Sequence, residues 1–282
     1  MLNGKFKNYL SELLNTEIRS SSALAGGDIN HVYRLSTSTE PLVIKINDAE
    51  VFPKMFELEK AGLELLRSTK TFHIPEPLYA GTFETKSFLL LEHIESAPTN
   101  SNFDSIFGEQ LATLHKHSNS FGLKEDNYIG SLKQYNTKQD DAASFYIKQR
   151  LEPQFKLAIE QGYVFKNLET FYKRIKMLIP DEPASLIHGD LWSGNYMVDH
   201  KGLPTLIDPA VCYASREMDL ALMRLFGGYS EAVFESYQQV FPLKSDWKER
   251  IQLWQLYYIL VHVNLFGGHY YASAKAILHK YN

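Results

Sequence analysis

The stretch His188-Gly189-Asp190-Leu191-Trp192-Ser193-Gly194-Asn195, followed by Leu206-Ile207-Asp208-Pro209, constrains this chain more than any other feature. Four residues separate Asp190 from Asn195, and Asp208 comes 13 residues after Asn195. Two apolar, β-like runs lie between them, Tyr196 to Val198 and Thr205 to Ile207. A hairpin through those runs turns the chain back and brings Asn195 and Asp208 to one point. A lone Asp beside a Gly is usually a turn residue. Three polar residues at these offsets, behind an apolar lead and around a hairpin, point instead to a site.

The residue types suit phosphoryl transfer. Moving a phosphoryl group from ATP needs magnesium to neutralise phosphate oxygens, and magnesium is a hard, octahedral ion that prefers oxygen donors. The Asp208 carboxylate and the Asn195 amide oxygen are two such donors. Asp190 is then the candidate catalytic base, orienting an acceptor hydroxyl and taking its proton. Protein kinases use a loop with the same spacing of His, Asp and Asn and a later metal-binding Asp. In such a loop His188 braces the backbone rather than shuttling protons. Asp219, in SREMDLALM, begins a predicted helix, where an Asp either complements the helix dipole or, as in kinase-like folds, braces the same loop. Trp192, Glu217 and Asn264 are candidate acceptor contacts.

An ATP site leaves marks upstream. Lys45 lies within VIKIN on a β-rich run, and Glu59 follows 14 residues later on a helical segment. A strand Lys paired with a helix Glu holds the α- and β-phosphates. Glu57 is the rival partner, but Glu59 shares the inward side with Leu63 and Leu66. Gly26-Gly27 marks the turn expected to cover the phosphates, although it does not satisfy GxGxxG. The run FLLLEHIES is expected to meet the adenine through backbone groups near Glu92 and Ile94.

The remaining pattern predicts an α+β protein. Residues 17–24, 31–37, 41–47, 78–83 and 87–92 read as short strands, with one helix near 52–68. From about 100 onward the spacing is mostly helical, over 102–117, 140–161, 163–178, 216–224, 231–240, 245–265 and 270–280. The expected division is a β-rich nucleotide-binding lobe over 1–95 and a helical lobe with the catalytic loop and acceptor site over 96–282. The opening MLNGKFKNYLSELLN predicts an amphipathic helix, with Leu2, Phe6, Leu10 and Leu13 or Leu14 on one face. Its charges argue against a signal peptide, and no run approaches the roughly 18 apolar residues of a membrane span. The single cysteine, Cys212, excludes an internal disulfide. With 29 Lys and Arg against 33 Asp and Glu, the net charge of −4 argues against a nucleic-acid binder. These features predict a cytoplasmic protein.

LIHGDLWSGN, IDPAVCY, REMDLALMRLFGGY and the early GGDIN together resemble the fructosamine kinases, or ketosamine kinases, relatives of the aminoglycoside and choline phosphotransferases. The resemblance runs from about residue 15 to 280. HGDxxxxN marks the wider group. The Trp192-Ser193-Gly194 filling, Asp208-Pro209-Ala210 and Phe226-Gly227-Gly228 are more specific. The resemblance implies a bilobal, protein-kinase-like fold with a small antiparallel-sheet N-lobe, one main helix and a larger helical C-lobe. It implies MgATP-dependent phosphorylation of a sugar hydroxyl, on carbon 3, of ketoamines such as fructosamine, ribulosamine or erythrulosamine, free or on glycated protein lysines. The phosphorylated adduct then falls apart and frees the amine. It also assigns Asp190 as base, Asn195 and Asp208 as metal ligands, Lys45 as phosphate ligand and Glu59 as its partner. Where some relatives carry a Cys in the Gly-rich turn, this chain has Asp28. Aminoglycoside- or choline-like acceptors, and a non-catalytic ketoamine-binding pseudokinase, are the alternatives. A polycationic aminoglycoside calls for several carboxylates, and the sequence offers Glu217 and Glu231 for that role.

Overall fold

The structure, a computed structural model, describes residues 2–24 and 29–282. The chain divides into two units, one running to Pro98 and adding Met197–Ile207, the other comprising Thr99–Tyr196 and Asp208–Asn282. The sequence places the division at 95/96; the structure carries the first unit to Pro98 and gives it the later hairpin as well.

The first unit is built on an antiparallel five-stranded sheet. Helix α1 (Gly4–Leu14) precedes β1 (Ile18–Ala23), β2 (His31–Thr37) and β3 (Leu42–Asp48); α2 (Met55–Ser68) follows, then β4 (Pro77–Phe83) and β5 (Lys86–Glu92). The strand order is β1-β2-β3-β5-β4. These elements fall within a few residues of the runs read from the sequence, because β-rich hexamers bounded by turn residues have few other ways to satisfy their backbone. Asn3 caps α1, its Oδ1 accepting from Phe6 N at 2.8 Å. The buried side of α1, Leu2, Phe6 and Leu10, packs with Leu35, Ile44, Ile46, Phe88 and Leu90. Successive strand side chains point to opposite faces. Ile44 and Ile46 therefore serve the α1 side, while Lys45 and Asn47 project to the side that carries α2.

The second unit is mostly helical. In chain order it holds α3 (Phe103–His115), β6 (Ser118–Asn119), β7 (Asn127–Ile129), β8 (Leu132–Gln134), α4 (Ala142–Phe145), a π-helical turn (Tyr146–Leu151), α5 (Glu152–Glu160), α6 (Leu168–Leu178) and β9 (Ala184–Ile187). The chain then makes the hairpin β10 (Tyr196–Val198) and β11 (Pro204–Leu206), which from Met197 on belongs to the first unit, and the second unit resumes with β12 (Cys212–Ala214), α7 (Glu217–Phe226), α8 (Glu231–Val240), α9 (Trp247–Phe266) and α10 (His269–Lys280). The predicted helix over 140–161 is interrupted by the π turn, and the predicted helix over 163–178 starts only at Leu168. A core of Tyr146, Phe155, Phe171, Leu253, Trp254 and Tyr257 knits α5, α6 and α9 together. Helix α9 is buried almost continuously from Leu253 to Val261, so its apolar residues show no single face. No helix among the described residues is long and apolar enough to cross a membrane.

Candidate active site

In the first unit, Lys45 sits on β3 between Val32 of β2 and Leu89 of β5. Its Nζ lies 2.6 Å from Glu59 Oε1 of α2, and both side chains are nearly buried. Glu57 faces solvent. A buried ammonium needs a counter-charge, and α2 supplies it on the side where Leu63 and Leu66 are buried. Glu92 ends β5; its N–H donates to Glu76 O at 2.9 Å and its Oε2 accepts from Glu76 N at 3.0 Å. Ile94 is buried just beyond. Gly26, Gly27 and Asp28 lie outside the described residues.

In the second unit, β9 delivers His188 and Gly189 onto the carboxylate of Asp219, at the start of α7. Asp219 Oδ2 accepts from His188 N at 2.8 Å and Oδ1 from Gly189 N at 2.9 Å. His188 Nδ1 accepts from Asp190 N at 3.3 Å, bracing the turn from inside. Gly189 has φ +82°, and a Cβ there would lie 2.1 Å from Ala210 O, so only glycine fits. Asp219 is itself held by His115 of α3, whose Nε2 is 3.2 Å from Asp219 Oδ2 and whose Nδ1 is 2.9 Å from Tyr237 OH. The sequence does not single out His115. It comes 104 residues before Asp219, and nothing local distinguishes it from any other helix-end histidine.

Asn195 is almost wholly buried, and its Nδ2 donates to Asp190 Oδ2 at 3.0 Å and to Asp190 O at 2.8 Å, with Asp208 O at 3.5 Å. The hairpin read from the sequence therefore does return Asp208 to Asn195. Asp208 adopts φ +54°. That conformation costs a non-glycine residue about 1–2 kcal/mol, and such strain gathers at functional sites. The Asp190 carboxyl is raised to about 7, chiefly by burial and then by the charge of Asp208, with the Asn195 hydrogen bond opposing. The residue keeps some contact with solvent, but its carboxyl is recessed enough for lost hydration to dominate. With the Asn195 nitrogen engaged on Asp190, its amide oxygen is the atom left for a cation. That oxygen and the Asp208 carboxylate are hard donors of the kind magnesium takes, so the residues fit such an ion.

The candidate acceptor residues fare differently. Trp192 is 42% exposed and lies over Gly194, whose Cβ would fall 2.2 Å from the indole. Ser193 packs closely against Gly228, where a Cβ would fall 2.5 Å from the serine Cβ. Asn264 donates to Gln154 O and Oε1 at 3.0 and 2.7 Å, leaving its own buried oxygen without a partner among the described residues. Glu217 is a correction. It is buried, with its oxygens 2.6 and 2.9 Å from Arg250 and 2.7 Å from Trp254 Nε1. Its carboxylate is occupied inside the fold and is not offered to an acceptor.

A sequence profile of the fructosamine kinases matches residues 4–282. The chain belongs to the fructosamine kinase family. It is 36% identical over 274 residues to a Vibrio parahaemolyticus protein named a probable ketoamine kinase, covering 95% of this chain and 94% of that one. A Haemophilus somnus protein, solved as a candidate fructosamine-3-kinase, superposes with a TM-score of 0.89 at 25% identity, covering 98% of this chain and 96% of that one. The amicoumacin kinase solved with AMP-PNP and Ca2+ shares the fold at a TM-score of 0.60 and 14% identity, over 99% of this chain and 93% of that one. The fold is protein-kinase-like, and this fructosamine kinase family member is a kinase.

Proposed function

We propose that this family member transfers the γ-phosphoryl group of MgATP to the carbon-3 hydroxyl of ketoamines such as fructosamine, ribulosamine or erythrulosamine, free or on glycated protein lysines. The observation that carries the reading is Asp190, a carboxyl poised near neutrality on a loop pinned by Asp219 and steadied by Asn195. A general base works best with a pKa near the operating pH. Asp190 takes the acceptor proton on its carboxylate as the hydroxyl oxygen attacks. Lys45, oriented by Glu59, steadies the α- and β-phosphates. Backbone groups near Glu92 and Ile94 meet the adenine, and Gly26 and Gly27 are the residues the sequence assigns to the phosphates. Asn195 and Asp208 are the residues that would hold magnesium, which when bound neutralises charge on the transferring phosphoryl group. AMP-PNP and a divalent cation in the amicoumacin kinase support that pairing. Trp192 and Asn264 border the acceptor.

An aminoglycoside-like acceptor is disfavoured. Polycations need several available carboxylates, yet Glu217 is tied to Arg250 and Glu231 is held by Arg224 at 2.8 and 2.9 Å.

ATP consumption by the purified protein, measured in parallel on ribulosamine, erythrulosamine and fructosamine derivatives, an aminoglycoside and choline, tests the reading. Turnover confined to ketoamines supports it. Turnover on the aminoglycoside or choline alone, or on none, overturns it.

A further inference from the structure

Arg150 is fully buried at the π-helical turn, and among the described residues none of its hydrogen-bond partners is a carboxylate. Its guanidinium donates to the carbonyls of Tyr135 and Gln149, to Asn136 Oδ1 at 2.9 Å and to Cys212 Sγ at 3.0 Å, and it lies over the ring of Phe145. From Asn136 a chain of amides continues. Asn136 Nδ2 and Gln134 Nε2 each donate to Asn127 Oδ1 at 2.8 Å. Gln134 Nε2 also donates to Ala210 O at 3.0 Å, and Asn127 Nδ2 donates to Val211 O at 2.9 Å. Tyr257 OH fixes the far side of Gln134, 2.7 Å from its Oε1. All of these side chains are buried.

The network therefore grips three consecutive residues, Ala210, Val211 and Cys212, directly after Asp208-Pro209. The β12 ladder begins only at Cys212, so the carbonyls of Ala210 and Val211 take amide donors where a strand would have taken a neighbour. On the other side Ala210 N donates to His188 O at 2.9 Å. Asp208 holds a left-handed backbone in between, a conformation that lasts only where its surroundings over-determine it. The amide groups of Asn127, Gln134 and Asn136 are all engaged, while Arg150 Nε is buried without a partner among the described residues; amides paired in this way have one orientation and are stiff. We propose that Asn127 and Gln134, seated on Arg150, are positioning residues that hold 210–212 and thereby keep Asp208 in the conformation its metal role requires. This rests on the proposed MgATP reading.

Gln134→Met removes both amide donors at similar volume. Calorimetry of Mg2+–AMP-PNP binding, the same titration in EDTA, thermal melting and steady-state kinetics are read side by side. The expected result is a roughly 10–100-fold loss of metal-nucleotide affinity, the range seen when residues behind metal ligands are removed. The metal-free nucleotide affinity and the acceptor KM stay unchanged while kcat falls. A lower melting temperature with unaltered metal-nucleotide affinity and kcat overturns the proposal, leaving the cluster a stabilising element only. If Gln134→Met does not fold, Tyr257→Phe, which frees Gln134 Oε1, shows the same pattern with a smaller shift, and its absence overturns the proposal. A wild type that fails to bind Mg2+–AMP-PNP overturns the functional reading and this inference together. A wild type that binds, matched by the variant, overturns this inference alone.

Discussion

The amide nitrogen of Asn195 lies 3.0 Å from Asp190 Oδ2 and 2.8 Å from the Asp190 carbonyl oxygen. One side chain thus fixes both ends of Asp190 and turns its own oxygen the other way. Asn195→Ala removes a proposed metal donor and the support of the proposed base at once. The loss of kcat should reach about 10²–10³-fold, comparable to removing one preorganised polar group from a transition-state site. Asn195→Asp should not rescue, because it sets a carboxylate against the Asp190 oxygen. Steady-state kinetics on a ketoamine checks both, and rescue by Asn195→Asp contradicts the assignment.

Lys45 and Glu59 form a nearly buried pair. Breaking such a pair by removing one partner costs about 3–5 kcal/mol. Lys45→Met should therefore lower the melting temperature and raise the KM for ATP, whereas Glu57→Gln, at the exposed neighbour, should change neither. Melting curves and ATP titrations on the two variants separate the outcomes.

The five-stranded sheet is legible in the sequence because each strand is a compact β-rich run with a turn signal at each end. The hairpin between Asn195 and Asp208 is legible for the same reason. Strands β7 and β8 are not. They are three residues each, and their buried members include Asn127 and Gln134, polar residues that match no apolar alternation. Arg150 is equally opaque: it falls within the predicted helix over 140–161 with nothing local to mark it, and only the π turn and its carbonyl and amide partners make its burial tolerable. Glu217 misleads because the groups that occupy it, Arg250 and Trp254, come 33 and 37 residues later. Clusters assembled from side chains far apart in the chain leave no local period to read.

Gly189→Ala should be among the most damaging single-methyl changes in the chain. The added Cβ meets Ala210 O at 2.1 Å, and the residue must hold φ +82°. Backbone strain of this kind costs about 1–3 kcal/mol, and relief by moving Ala210 disturbs the segment that follows Asp208. A lowered melting temperature together with lost turnover is expected; full activity contradicts the described packing.

His115 links stability to pH. Burial lowers its pKa below the usual histidine value of about 6.5, against the pull of Asp219. A neutral imidazole in the fold and a more basic one in the unfolded chain mean that the unfolded state binds more protons as the medium acidifies. The contribution is whole above pH ~6.5 and is lost as pH falls towards the lowered folded value. Melting temperatures between pH 8 and 5.5 should drop more steeply for the wild type than for His115→Asn. Parallel slopes contradict the assignment.

The central claim is that Asp190 is the base in phosphoryl transfer to a ketoamine hydroxyl, and Asp190→Asn tests it most directly. The variant keeps the size of the side chain and removes the proton acceptor. ATP-dependent phosphorylation of a ketoamine, measured alongside Mg2+–AMP-PNP affinity, should show turnover abolished with nucleotide binding largely intact. Turnover equal to that of the wild type contradicts the account.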